Sequence, residues 1–243
     1  MTFSTSQPDQ QSLISEPAWR TFYRAGLAAC IVLAPLVLFL GFAFDPTGGV
    51  PPGGRATVAA FQAVSPLRVQ LFLWFNAVTP YFFPLSYIGL GLLALRRSPV
   101  LATAGIVLGL LGSLPFGFFV EAEATVAHVA QLGDSAAFEA LIRDISSEGV
   151  IVFLQISWVV GHLLGYLLLG IALIRARAIP LWSASLIILG LPFQAAAYIA
   201  HQGLLQLLCF GLIFIGSIPA AWALRRSYPD SHAATAPSAR RTG

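Results

Sequence analysis

Apolar residues do not alternate along this chain; they run together. Six stretches, at 22–44, 67–95, 100–120, 149–174, 180–200 and 203–224, are almost free of charge and each is about as long as a membrane is thick. A hydrocarbon core of roughly 30 Å takes about 20 helical residues to cross. Within it every backbone amide must find a partner inside the segment, so such runs are helices. The pattern therefore predicts an all-α polytopic membrane helical bundle of six transmembrane helices, over residues 20–226. It leaves polar tails at 1–19 and 227–243, the second expected to be disordered.

Between the spans the pattern changes. After the first span, "DPTGGVPPGGR" is turn chemistry, and "ATVAAFQAV" following it reads as a short interfacial helix. Ser65-Pro66 then reads as an N-cap with proline at the first helical position. In "DSAAFEALIRDISSEG", Phe138, Leu141, Ile142 and Ile145 recur at helical spacing and give one apolar face, as expected of a helix lying on the membrane surface. "HQG" at 201–203 is a minimal turn, so spans five and six are antiparallel neighbours. Prolines fall inside spans at Pro80, Pro84, Pro115, Pro192 and Pro219, and each removes a backbone donor and predicts a kink.

Charge sets the orientation. All 13 basic residues are arginine. Arg20, Arg24, Arg96, Arg97, Arg175, Arg177, Arg225, Arg226, Arg240 and Arg241 fall on one side of the membrane, against Arg55, Arg68 and Arg143 on the other. The positive-inside rule then places both termini in the cytoplasm, and the expected location is a bacterial inner (plasma) membrane. With 57% hydrophobic and 9% charged residues, the lipid bilayer is the expected partner, and a net charge of +3 gives no basic surface for nucleic acid. Cys30 and Cys209 both lie in apolar runs, with no CxxC pair.

A shift of 79 residues lays "NAVTPYFFPLSYIGLGLLALR" over "QISWVVGHLLGYLLLGIALIR", matching Tyr87 to Tyr166, Gly91 to Gly170 and Arg96 to Arg175. This predicts a parallel repeat of helical hairpins, spans two and three over spans four and five. The glycine pairs Gly105/Gly109 and Gly161/Gly165 are small-xxx-small faces that allow close helix approach, within the chain or between copies.

The polar residues inside the spans are few. Gln155, His162 and Tyr166 lie on one stripe of span four, Asn76 and Tyr87 on the equivalent stripe of span two with Phe83 in the place of His162, and Gln194, Tyr198 and His201 on span five. Polar groups facing hydrocarbon cost several kcal/mol, so the stripes should point inward. Asn76, Tyr87, Gln155, His162, Tyr166, Gln194 and Tyr198 are thus candidates to line an interior cavity for a small lipophilic ligand. The first expectation is a non-catalytic membrane protein that needs no cofactor. The first alternative is a small permease, which the kinked hairpins favour. A second alternative is an intramembrane zinc hydrolase with Glu121, His128 and His201 at the outer face. No HxxxH or HExxH pair supports it, and Glu121 and His128 stand about 10 Å apart along a helix.

In "GYLLLGIALIRARAIP", a Gly-Tyr helix end, a basic turn and a proline before the next span, the chain resembles small six-span bacterial membrane proteins of unknown function. That resemblance implies the bundle and assigns no site.

Overall fold

The computed structural model describes residues 18–48, 54–132 and 136–226. The predicted tails therefore lie outside the described residues, save for Ala18 and Trp19. Among the described residues the chain forms nine helices and no strand: α1 (Ala18–Phe44), α2 (Gly54–Gln62), α3 (Pro66–Ala94), α4 (Pro99–Ser113), α5 (Phe116–Leu132), α6 (Ala136–Ser147), α7 (Gly149–Ala176), α8 (Leu181–Ala200) and α9 (Gly203–Arg226). Six stretches are long and apolar enough to cross a membrane: α1, α3, α4 with α5, α7, α8 and α9. The protein is a multi-pass membrane protein with an all-α bundle fold.

The spans close a ring in chain order. α1 packs on α3, α3 on α4, α4 on α7, α7 on α8, α8 on α9, and α9 back on α1, while α3 also touches α7 and α9 across the middle. The arginine-bearing turns share one end of the bundle, where Arg97 Nη1 donates to the Ala176 carbonyl at 3.0 Å and ties the α3–α4 turn to the α7–α8 turn. At the other end the Gly203 amide donates to the Gly48 carbonyl, setting the short α8–α9 turn beside the end of α1. His201 makes that turn in the left-handed conformation (φ 50°) as the cap of α8.

Local signals act as their chemistry dictates. Ser65 caps α3, its Oγ accepting from the Arg68 amide at 3.3 Å, with Pro66 next in line. Of the interior prolines, Pro35, Pro80, Pro84, Pro192 and Pro219 stay within continuous helices. Pro115 alone coincides with an end: α4 stops at Ser113 and α5 starts at Phe116. The new helix leans away onto α2 and α3 and builds a second, outer core of Val58, Phe61, Val69, Phe72, Ala127, Val129 and Ala130. The sequence pattern placed the end of span three at 120; the helix instead runs on to Leu132 as a polar-faced extension.

Glycine sets the α4–α7 contact. A Cβ on Gly161 would stand 2.6 Å from Gly112 Cα, and one on Gly165 would stand 2.8 Å from Gly109 Cα. No side chain fits there, so the backbones touch. Both glycine faces singled out in the sequence thus meet each other inside one chain. The aligned glycines Gly91 and Gly170 also serve alike, each facing an isoleucine of the following helix, Ile106 or Ile188.

Candidate functional site

At the centre of the ring lies His162, with no exposed surface. It stands about 20 Å along α7 from that helix's outer end. Tyr87 comes to it from α3. The Tyr87 ring fits because α4 offers Gly109 opposite it, where a Cβ would fall 2.5 Å from the ring. Its hydroxyl then lies 2.7 Å from His162 Nδ1. This hydrogen bond joins residues 75 apart in sequence, and neither partner can reach water.

Aromatic rings fill the space around the imidazole. Trp158 lies at 4.5 Å between centroids, Tyr166 at 5.1 Å, Phe83 at 5.2 Å, Phe210 at 5.7 Å and Tyr87 at 6.3 Å. Trp158, His162 and Tyr166 are spaced i, i+4, i+8 on α7, so one helix face presents all three. α3 supplies Phe83 and Tyr87 at the same spacing, and α9 closes the far side with Phe210. Most ring pairs are tilted or edge-to-face, the arrangement the ring quadrupole favours.

Hydrogen bonding in this locus is incomplete. If Tyr87 donates to Nδ1, Nε2 of His162 carries the proton and is a donor without an acceptor. If Nδ1 donates to Tyr87, Nε2 is an acceptor without a donor. In both cases Nε2 is left over, and among the described residues it has no hydrogen-bond partner. Gln194 of α8 lies within interaction range of the imidazole but does not close a bond to Nε2. Tyr166 Oη and Ser86 Oγ, which lie near one another, are likewise buried and unpartnered. A polar atom buried without a partner costs about 1–3 kcal/mol, so this much unmet capacity around one histidine is a property of the site.

A second, satisfied network flanks it. Trp158 Nε1 and Gln194 Nε2 both donate to Tyr198 Oη, at 3.2 and 3.3 Å, and Cys209 Sγ donates to Gln194 Oε1 at 3.6 Å. Trp158 therefore belongs to both groups: its ring packs on His162 and its N–H leads to α8.

The structure brings together Tyr87, His162, Tyr166, Gln194 and Tyr198. Asn76 stands about 16 Å from Tyr87 along α3, donating to the Phe72 carbonyl on its own helix at 3.1 Å and packed against Gly41 of α1. Gln155 is half-buried on α7, about 10 Å outward of His162. Glu121 and His128 are exposed on α5, and His201 is exposed at the end of α8. Among the described residues no group of three His, Cys, Asp or Glu side chains could hold a metal ion. Sequence reasoning passed over Trp158, Ser86, Cys209 and Phe210. The i−4 spacing from His162 would have found Trp158; Phe210 carried no signal, because only the closing of the ring brings α9 to α7.

At the outer end, Arg68 donates from Nε to the Phe44 carbonyl and from Nη2 to the Asp45 carbonyl, at 3.2 and 2.9 Å, and so caps α1. Asp45 accepts from the amide and hydroxyl of Thr47. Glu123 of α5 comes close enough to Asp45 for the two carboxylates to repel, and its Oε2 has no partner.

No family model matches this chain, and no curated protein and no solved structure matches it either.

Proposed function

We propose that this membrane protein is non-catalytic and binds a small lipophilic molecule carrying a hydrogen-bonding group, at the His162 locus. One observation carries the reading: the His162 imidazole is walled by aromatic rings and its Nε2 is buried without a partner, as are the neighbouring hydroxyls of Tyr166 and Ser86 among the described residues. Rings offer area to an apolar body, and the unmet atoms offer a place for one polar head. Pockets for small ligands combine apolar walls with a few placed polar groups in this way. The locus has no charged partner for a strongly ionic substrate. Asp45, at the outer end, is the one buried carboxylate among the described residues, and the other buried polar side chains there are Ser, Thr, Asn, Gln and the imidazole.

The test is solvent extraction of protein purified from its native membrane, with mass spectrometry of what is released. The wild type is expected to release a lipophilic species in near-stoichiometric amount. Tyr166→Phe combined with Ser86→Ala, which removes two of the unmet atoms and leaves the packing intact, is expected to lose most of it. Identical extracts holding only bulk lipid would defeat the proposal.

A further inference from the structure

α1 and α9 pack on one another and leave a groove beside their contact at one end. Toward the outer end Phe42 stacks on Phe210 with centroids 5.4 Å apart, and Gly211 lies against Phe39. Toward the arginine-rich end the same helices border an open groove of about 710 Å³, lined by Ala25, Ala28 and Ala29 of α1 and by Pro219, Trp222 and Arg225 of α9. Two features of the sequence open it. The α1 face offers mainly methyl groups, too short to fill the space, and Pro219 gives the facing wall on α9 a compact side chain.

The groove's chemistry is divided. Its walls are apolar and belong to two spanning helices, so it opens sideways to lipid. Its rim is cationic: Arg225 lies in the lining, and the Arg226 guanidinium sits 4.2 Å over the Trp222 ring and steadies that wall. The groove is open rather than enclosed, which suits a chain entering from the bilayer. A headgroup phosphate suits an arginine at the membrane surface, because the planar guanidinium meets phosphate oxygens with two parallel bonds. Basic pockets between spanning helices are suited to anionic headgroups for this reason.

We infer that the α1–α9 groove seats one anionic phospholipid, with an acyl chain along the alanine face and the phosphate on Arg225. The inference uses none of the residues of the His162 locus and stands independently of the ligand proposed there.

The experiment is native mass spectrometry of the full chain in detergent, titrated with phosphatidylglycerol or with phosphatidylcholine of the same acyl chains. The wild type is expected to take up one saturable phosphatidylglycerol at least about 5-fold more tightly than phosphatidylcholine, the discrimination one arginine near the surface supplies. Arg225→Gln, on an exposed position that leaves packing untouched, should abolish that preference. Ala29→Leu, which fills the groove and keeps the arginine, should remove the tight adduct. Equal affinity for the two lipids in the wild type would overturn the assignment. So would a preference that survives Arg225→Gln, or a tight adduct that survives Ala29→Leu in protein that elutes as the wild type does.

Discussion

The outer end of the bundle and its centre handle polar groups in opposite ways. At the end where α1 meets α3, Arg68 takes the last carbonyls of α1, Thr47 serves Asp45, and Gln62 of α2 donates to the Ala130 carbonyl of α5 at 2.9 Å. Glu123 Oε2 is the exception there, a buried oxygen without a protein partner. At the centre one strong hydrogen bond joins Tyr87 to His162, and the atoms around it go unanswered. Water cannot make up that shortfall behind five aromatic rings. Among the described residues the rim thus holds a single unmet oxygen, whereas at the centre several unmet atoms gather around one aromatic-walled imidazole, which is where we propose the ligand.

The largest test of this contrast removes the scaffold that holds the centre together. Gly161→Leu places a side chain where Gly112 Cα stands 2.6 Å away and the Leu108 carbonyl 2.8 Å away. Both obstacles are backbone, so the cost should exceed about 3 kcal/mol, beyond ordinary overpacking. Size-exclusion chromatography should show aggregate in place of a monodisperse peak. A normal peak would mean that α4 and α7 do not pack through these glycines.

Next comes the central hydrogen bond. Tyr87→Phe and His162→Phe each leave one buried partner unpaired and should each cost about 1–3 kcal/mol. The double variant should cost clearly less than the sum, because it orphans neither partner. Thermal unfolding in a single detergent reads all four corners of the cycle, and additive costs would deny the bond.

Changes at the rim should be milder. Arg68→Gln removes the two bonds to the end of α1, but water replaces them, and about 0.5–1 kcal/mol is expected in the same assay. Arg55→Ala opens the 3.8 Å pair with Glu139 between α2 and α6, in which the arginine side chain is 76% exposed. It should shift stability by less than about 0.5 kcal/mol. A rim substitution as costly as Tyr87→Phe would erase the distinction between the two regions.

The sequence conveyed the parts governed by length and local chemistry. The six spans follow from apolar runs, the start of α3 from Ser65-Pro66, and α6 from a repeating apolar face. His162 and Tyr87 were legible as inward-facing because hydrocarbon penalises the alternative. Other features depend on tertiary contacts that no local pattern encodes. Asn76 shares a nominal stripe with Tyr87 and is buried like it, but it lies about 16 Å away along α3, where its neighbour is Gly41 of α1. The length of α5 was hidden because Glu121, Glu123 and His128 end the apolar run while the helix continues on the outer core. Phe210 reaches His162 only because α9 closes the ring.

The central claim is that the polar atoms around His162 are sealed from water. Single cysteines placed at positions 155, 162 and 166, in a chain with Cys30 and Cys209 replaced by alanine, can be labelled in intact membranes with a membrane-impermeant maleimide. Denatured protein serves as the reactive control. Positions 162 and 166 are predicted to stay unlabelled until denaturation, with 155 reacting first of the three if any does. Rapid labelling at 162 in the folded protein would contradict the claim, and it would turn the interpretation toward a water-filled path and a permease.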